Sequence, residues 1–329
     1  LGSADASFIA AALIAEQLHR IDESNSEYDR LYLVASLEVA KRLNGYGRPL
    51  TEQTGAIYTA ASSATKDRLE EVLELALKNK YEGAAIAAIE FLGQTKDLEL
   101  LRSKDGQPRL LASALTSPTH RIKYAAARAV MNIDPATSYP GSSYLTEALG
   151  YLSSGGGSRR VLIGHPRNET AQQLAGYFNV LGFAVDTQST GRGLLLQAFS
   201  NADFSFALIH DAIERPRYRE LVQSLRRDRR TADLPIGLMV REDNQDAARS
   251  FANTDPLTLA FAPPNTQEDI AFDTRRVLGL LGHRQVTSDE RMRHASFALD
   301  ALTQLANDEE KYDFYELLPL DSQVEPILH

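Results

Sequence analysis

Arg160-Val-Leu-Ile-Gly164, Phe204-Ser-Phe-Ala-Leu-Ile209 and Pro235-Ile-Gly-Leu-Met-Val240 are short apolar runs, each followed by a longer amphipathic stretch. Runs this short and this rich in β-branched and aromatic residues read as strands buried on both faces. Phe183-Ala-Val-Asp-Thr187 and Leu257-Thr-Leu-Ala-Phe261 complete a set of five. Helical periodicity fills the intervals at 169–180, 192–201, 218–228, 242–253 and 266–281. Strands that alternate with helices and carry no polar face require a parallel sheet covered by helices on both sides. Residues 159–282 are therefore expected to form an α/β domain around a five-stranded parallel sheet.

Upstream, Ser153-Ser-Gly-Gly-Gly-Ser158 has the composition of a flexible Gly/Ser linker and marks a boundary. Residues 1–152 carry apolar positions at three and four spacing in Phe8 to Ala15, in Leu31, Val34, Ala35, Leu37 and Val39, and in Leu69, Val72, Leu73, Leu75 and Ala76. That period predicts an all-α array. Gly83 to Gly93 and Lys123 to Ile133 are both rich in alanine, which suits helices whose backbones approach closely. Leu110 to Leu115, the turn Thr116-Ser-Pro-Thr-His120 and Arg121 to Val130 form a helix–turn–helix unit that resembles a HEAT (armadillo-like) repeat, clearest over 81–134. The family's Val-Arg pair is here Ile122-Lys123, and its acidic turn residue is Ser117. Such units stack because one helix pair cannot bury its apolar face alone.

Downstream, Arg291 to Leu305 is again alanine-rich and helical, and an acidic tail starts at Asp308. Residues 283–329 thus read as a helical segment and the possible start of further HEAT-like repeats, with the α/β domain inserted in, or flanked by, one array. The first residue is Leu and the last segment ends abruptly at His329, so the chain reads as a fragment of a longer protein.

Composition narrows the function. The 329 residues include no cysteine, which removes disulfides, thiolate metal sites and cysteine nucleophiles and fits a cytoplasmic setting. A formal net charge of −9 argues against general nucleic-acid binding, and no run is long and apolar enough to span a membrane. All basic residues of 151–283 are arginine.

The α/β domain resembles a response-regulator receiver in element order and spacing. The phrase Leu225-Arg-Arg-Asp-Arg-Arg-Thr-Ala-Asp-Leu-Pro-Ile236 matches that family's link from third helix to fourth strand. The resemblance implies a flavodoxin-like strand order 2-1-3-4-5, with function at the carboxyl edge of strands 1 and 3. It also implies an acidic pair after strand 1 and an Asp after strand 3 that hold magnesium through oxygen ligands. A Ser or Thr after strand 4 and a Lys after strand 5 then bind the phosphoryl group. In this chain the acidic pair falls on His165 and Pro166, the hydroxyl position on Val240, and the Lys position on Ala262; the acceptor Asp211 remains. The domain therefore reads as a pseudo-receiver, not competent for Asp phosphorylation.

His165, His210 and Asp211 would emerge at one edge, a plausible shell for a metal or small ligand. No nucleophile elbow, phosphate-cradling loop or close-spaced metal motif is present, so no catalytic residue, cofactor or metal is assigned. The arginine run Arg226, Arg227, Arg229, Arg230 reads as solvated charge at a helix end, diluted by Glu220, Asp228 and Asp233. The expected function is a non-enzymatic, signalling-related scaffold that binds protein partners. The alternative is a ligand-sensing module switched at His165, His210 and Asp211.

Overall fold

A computed structural model describes residues 3–103 and 105–315. The described residues divide into two compact units, 3–149 with 301–315, and 150–300. The sequence segment from 316 onward, including the rest of the acidic tail, lies outside the described residues.

The first unit is helical, as the apolar spacing predicts: α1 (Ser3–Ile21), α2 (Ser26–Asn44), α3 (Ala56–Ser63), α4 (Lys66–Asn79), α5 (Glu82–Gln94), α6 (Leu110–Ala114), α7 (His120–Ile133) and most of α8 (Ser143–Ser153). Asn25 opens α2 by accepting hydrogen bonds from the backbone N–H groups of Glu27 and Tyr28, and Thr65 opens α4 by accepting one from Arg68. Each side chain satisfies donors that a helix start leaves without partners.

Helix α5 is buried from Glu82 to Gly93 except for Glu90, and small residues are what allow it. A Cβ on Gly93 would sit 2.7 Å from the Cβ of Ala129 on α7, and one on Gly83 would sit 2.9 Å from the Cβ of Lys41 on α2. The same close packing encloses charges, which are buried only with partners. Lys41 is fully buried and donates to the Arg48 carbonyl at 2.9 Å and to Glu90 Oε1 at 2.6 Å. Burial pushes the Lys41 ammonium down and the Glu90 carboxyl up from their ordinary ranges. Glu38 accepts from Arg42 Nε at 2.7 Å and from the Ala84 N–H at 2.9 Å, and so ties α2 to the start of α5. The early apolar pattern is less faithful: Leu13, Ile14 and Leu31 are exposed.

The second unit alternates β1 (Arg160–Gly164), α9 (Asn168–Val180), β2 (Ala184–Gln188), α10 (Gly191–Ser200), β3 (Phe204–His210), α11 (Tyr218–Arg227), β4 (Ile236–Met239), α12 (Gln245–Ala252), β5 (Thr258–Phe261) and α13 (Gln267–Gly279). The sheet is wholly parallel, in the expected flavodoxin-like order β2-β1-β3-β4-β5. Side chains alternate across it. Leu162, Ala207, Ile209, Ile236 and Leu238 pack against α10, α11 and α12. Val161, Ile163, Phe206, Leu208 and Met239 pack against α9 and α13. After α13 the chain forms α14 (Ser288–Asn307) and α15 (Glu309–Tyr312), and it rejoins the helical unit at residue 301, within α14.

Four local readings change. Strand β2 begins at Ala184, because Phe183 turns its ring into the core against Phe178 and Phe206. The helix expected over 242–253 is a 3₁₀ turn, Glu242–Asn244, followed by α12. The glycine run is not a free tether. The N–H groups of Gly156, Gly157 and Ser158 donate to the buried Asp203 carboxylate at 2.7, 3.3 and 3.1 Å, a backbone anion nest.

Arg226 is not solvated charge. Its guanidinium donates to Asp255, to the carbonyls of Ala232, Leu234 and Leu257, and to Thr258 Oγ1, and so fastens the chain entering β4 to the chain entering β5. Its neighbour Arg230 pairs with Asp228 and lies over the Phe199 ring.

Candidate functional site

Strand β3 ends at His210, so Asp211 is the first residue beyond the sheet, fixed by its N–H donating to the Met239 carbonyl at 2.9 Å. Its carboxylate has no solvent exposure. Arg241, directly after Val240, donates from Nε to both Asp211 oxygens at 3.2 Å. Asn244, the last residue of the 3₁₀ turn, donates from Nδ2 to Oδ2 at 2.7 Å. Asn244 thus reaches the sheet edge from the end of a tight turn. The Arg241 side chain is itself 52% exposed.

The two histidines flank this pair. His165, directly after β1, and His210, at the end of β3, bring their rings edge to face with centroids 4.5 Å apart. Each ring is oriented by main chain. The Arg167 N–H donates to His165 Nδ1 at 3.0 Å, and the Ala212 N–H donates to His210 Nδ1 at 3.1 Å. His210 Nδ1 accepts and is unprotonated, which puts that ring's proton on Nε2, whereas His165 Nδ1 also lies 3.0 Å from the Arg167 carbonyl oxygen, to which its other tautomer would donate. Burial is the main cause that holds both imidazoles below their ordinary range, His210 at about 4, with the neighbouring His165 adding to the effect on His210. The 3.2 Å approach of His210 Nδ1 to Asp211 Oδ1 is therefore not an ion pair.

Of the sequence-predicted positions, the fold brings His165, His210 and Asp211 to one edge. Some of their polar atoms are already engaged: Asp211 faces Arg241 and Asn244, and both Nδ1 atoms face main-chain groups. Among the described residues no group of three His, Asp or Glu side chains has the disposition of a metal shell. Val240 is buried and offers no hydroxyl; Pro166 and Ala262 are exposed and offer neither a carboxylate nor an ammonium.

Arg241 and Asn244 are the residues that sequence reasoning missed. The signal for Arg241 was its place one residue beyond Val240, where a long cation follows a strand next to the one that Asp211 follows. Asn244 carried no signal until the 3₁₀ turn was known.

No protein-family model matches the chain, and no curated protein matches it. Among solved structures, the chemotaxis response regulator CheY4 of Vibrio cholerae is similar at 18% identity and a TM-score of 0.34, with 36% of this chain and 98% of that chain covered. A sensor protein from Polaromonas sp. JS666 is similar at 21% identity and a TM-score of 0.33, with 36% of this chain and 94% of that chain covered.

Proposed function

We propose that the chain is a non-enzymatic, signalling-related interaction protein that carries a HEAT-like helical array and a pseudo-receiver, an α/β unit with receiver layout that is not phosphorylated. One observation carries this reading: the Asp211 carboxylate is closed off by Arg241 and Asn244. Acyl phosphate formation needs a carboxylate that is free to attack and a hard cation to neutralise the incoming charge. Here a guanidinium already occupies the carboxylate. No second carboxylate stands at His165 or Pro166 to help hold magnesium, and Val240 and Ala262 offer the phosphoryl group nothing.

The array supports a scaffold. Close helix packing at Gly83, Gly93 and Ala129, and buried links such as Lys41–Glu90, build a stiff stack of the kind that presents an extended surface. The competing reading, a switch through a metal or small ligand, has the His165–His210 contact in its favour.

Melting temperature separates the two readings. With beryllofluoride and magnesium, and separately with zinc or nickel, Tm is expected to stay unchanged, because a ligand that binds only the folded state must raise it. A rise of several degrees with beryllofluoride would overturn the pseudo-receiver reading, and one with zinc or nickel would favour the switch.

A further inference from the structure

The receiver layout implies an acidic pocket at the carboxyl edge of the sheet, yet the loops there are rich in arginine. Parallel strands deliver their following loops to one edge. Arg167 follows β1, Arg192 opens α10 after β2, and Arg215 and Arg217 follow β3. All four are exposed, and among the described residues none of their side chains meets an acceptor. Glu169, in the first turn of α9, and Glu214 are the acidic residues beside them, so this side of the edge carries a surplus of positive charge, and Glu242 and Asp243 lie beyond it in the turn after β4. Arg241 lies next to them and already cancels Asp211.

The backbone under these arginines is fixed. The Gly191 N–H donates to the Glu214 carbonyl at 2.9 Å and the Arg192 N–H to the Arg215 carbonyl at 2.7 Å, which ties the β3 loop to the start of α10. Pro216 packs so closely that a Cβ on Gly191 would meet the Pro216 carbonyl oxygen at 2.5 Å. Arg215 is held with φ 61°, a left-handed conformation that side-chain-bearing residues seldom adopt.

We propose that this edge, over β2, β1 and β3, docks an acidic peptide segment of a partner protein, its carboxylates received by Arg167, Arg192, Arg215 and Arg217. The inference rests on the interaction-protein reading and names its partner's chemistry. Guanidinium forks match carboxylates in geometry as well as charge. Neighbouring strands lie about 4.8 Å apart, so three adjacent loops span about 10 Å. An extended peptide covers that distance in about three residues. Nucleic acid fits less well: the chain's net charge is −9, and none of the large exposed apolar or aromatic side chains falls in these loops to stack a base.

The test is fluorescence anisotropy of a fluorescein-labelled octaglutamate peptide titrated with the full chain at low and moderate salt. Saturable, salt-weakened binding is expected, and the R192E/R217E variant should lose about tenfold or more in affinity. The milder R192Q/R217Q variant should lose part of that, and covers the case in which charge reversal disturbs folding. Arg227→Glu is the control. Arg227 is equally exposed but ends α11 at the opposite edge of the sheet, so its reversal should change little. Absent binding, equal loss in R227E, or tighter binding of an oligothymidylate of matched charge would each overturn the proposal. Phosphorylation of Asp211 by acetyl phosphate would instead sink the pseudo-receiver reading, whatever the peptide does.

Discussion

Two buried aspartates stand at opposite ends of β3 and are held in opposite ways. Asp203, just before the strand, is clasped by three main-chain N–H groups of 156–158. Asp211, just after it, is clasped by the side chains of Arg241 and Asn244. A backbone cage is part of the fold, because its donors are main-chain groups and not side chains. A side-chain cage can be gained or lost one substitution at a time. The amino edge, where Arg226 also fastens the entries of β4 and β5, is thus built for stability. The carboxyl edge is where this chain differs from what receiver chemistry requires.

That contrast sets the order of expected effects. Asp203→Ala should be the most damaging, at about 4 kcal/mol in urea unfolding, because three backbone donors lose a charged acceptor inside the protein. Arg226→Ala should cost about 3 kcal/mol, since Asp255 would keep a charge without its main partner and three carbonyls would lose a donor.

The histidine pair adds a pH dependence. The folded state holds His210 neutral down to about 4, whereas the unfolded chain takes up a proton below its ordinary value of 6.5. The folded pKa is depressed, so this histidine's neutral preference costs nothing above about pH 6.5. Stability is then lost as pH falls from about 6.5 toward 4. His210→Gln should flatten the stability profile across that window, and an unchanged slope would contradict the burial argument.

Arg241→Ala should have the smallest effect, about 1 kcal/mol, because removing this half-exposed side chain lets water reach the Asp211 carboxylate, which also keeps the Asn244 amide. In a double-mutant cycle with Asp211→Asn the two changes should not add, since each removes the same pair. If Arg241→Ala proved costlier than Arg226→Ala, the two edges would not differ as described.

The sequence carried much of the architecture. The bounds of β1 are the residues 160–164 read from their apolar run, and the parallel sheet followed from five βα repeats, while its strand order was what the receiver resemblance implied. Both signals are local and periodic, which makes them visible in one dimension. What stayed hidden depends on distant partners. Gly155 to Gly157 have the composition of a tether, and only the fold reveals that Asp203 organises them. Arg226 reads like its neighbours Arg227 and Arg229 until its acceptors, six to thirty-two residues further on, are in place. At the carboxyl edge, His165, His210 and Asp211 could be placed together from topology alone. Asp211's partners lie 30 and 33 residues along the chain and belong to no motif.

The most direct test of the account is the intact mass of the chain after incubation with acetyl phosphate and magnesium. With Asp211 enclosed by Arg241 and Asn244, the mass should remain that of the unmodified chain. A single added phosphoryl group that disappears in Asp211→Asn would show the carboxylate to be open to phosphorylation, and the pseudo-receiver reading would fall.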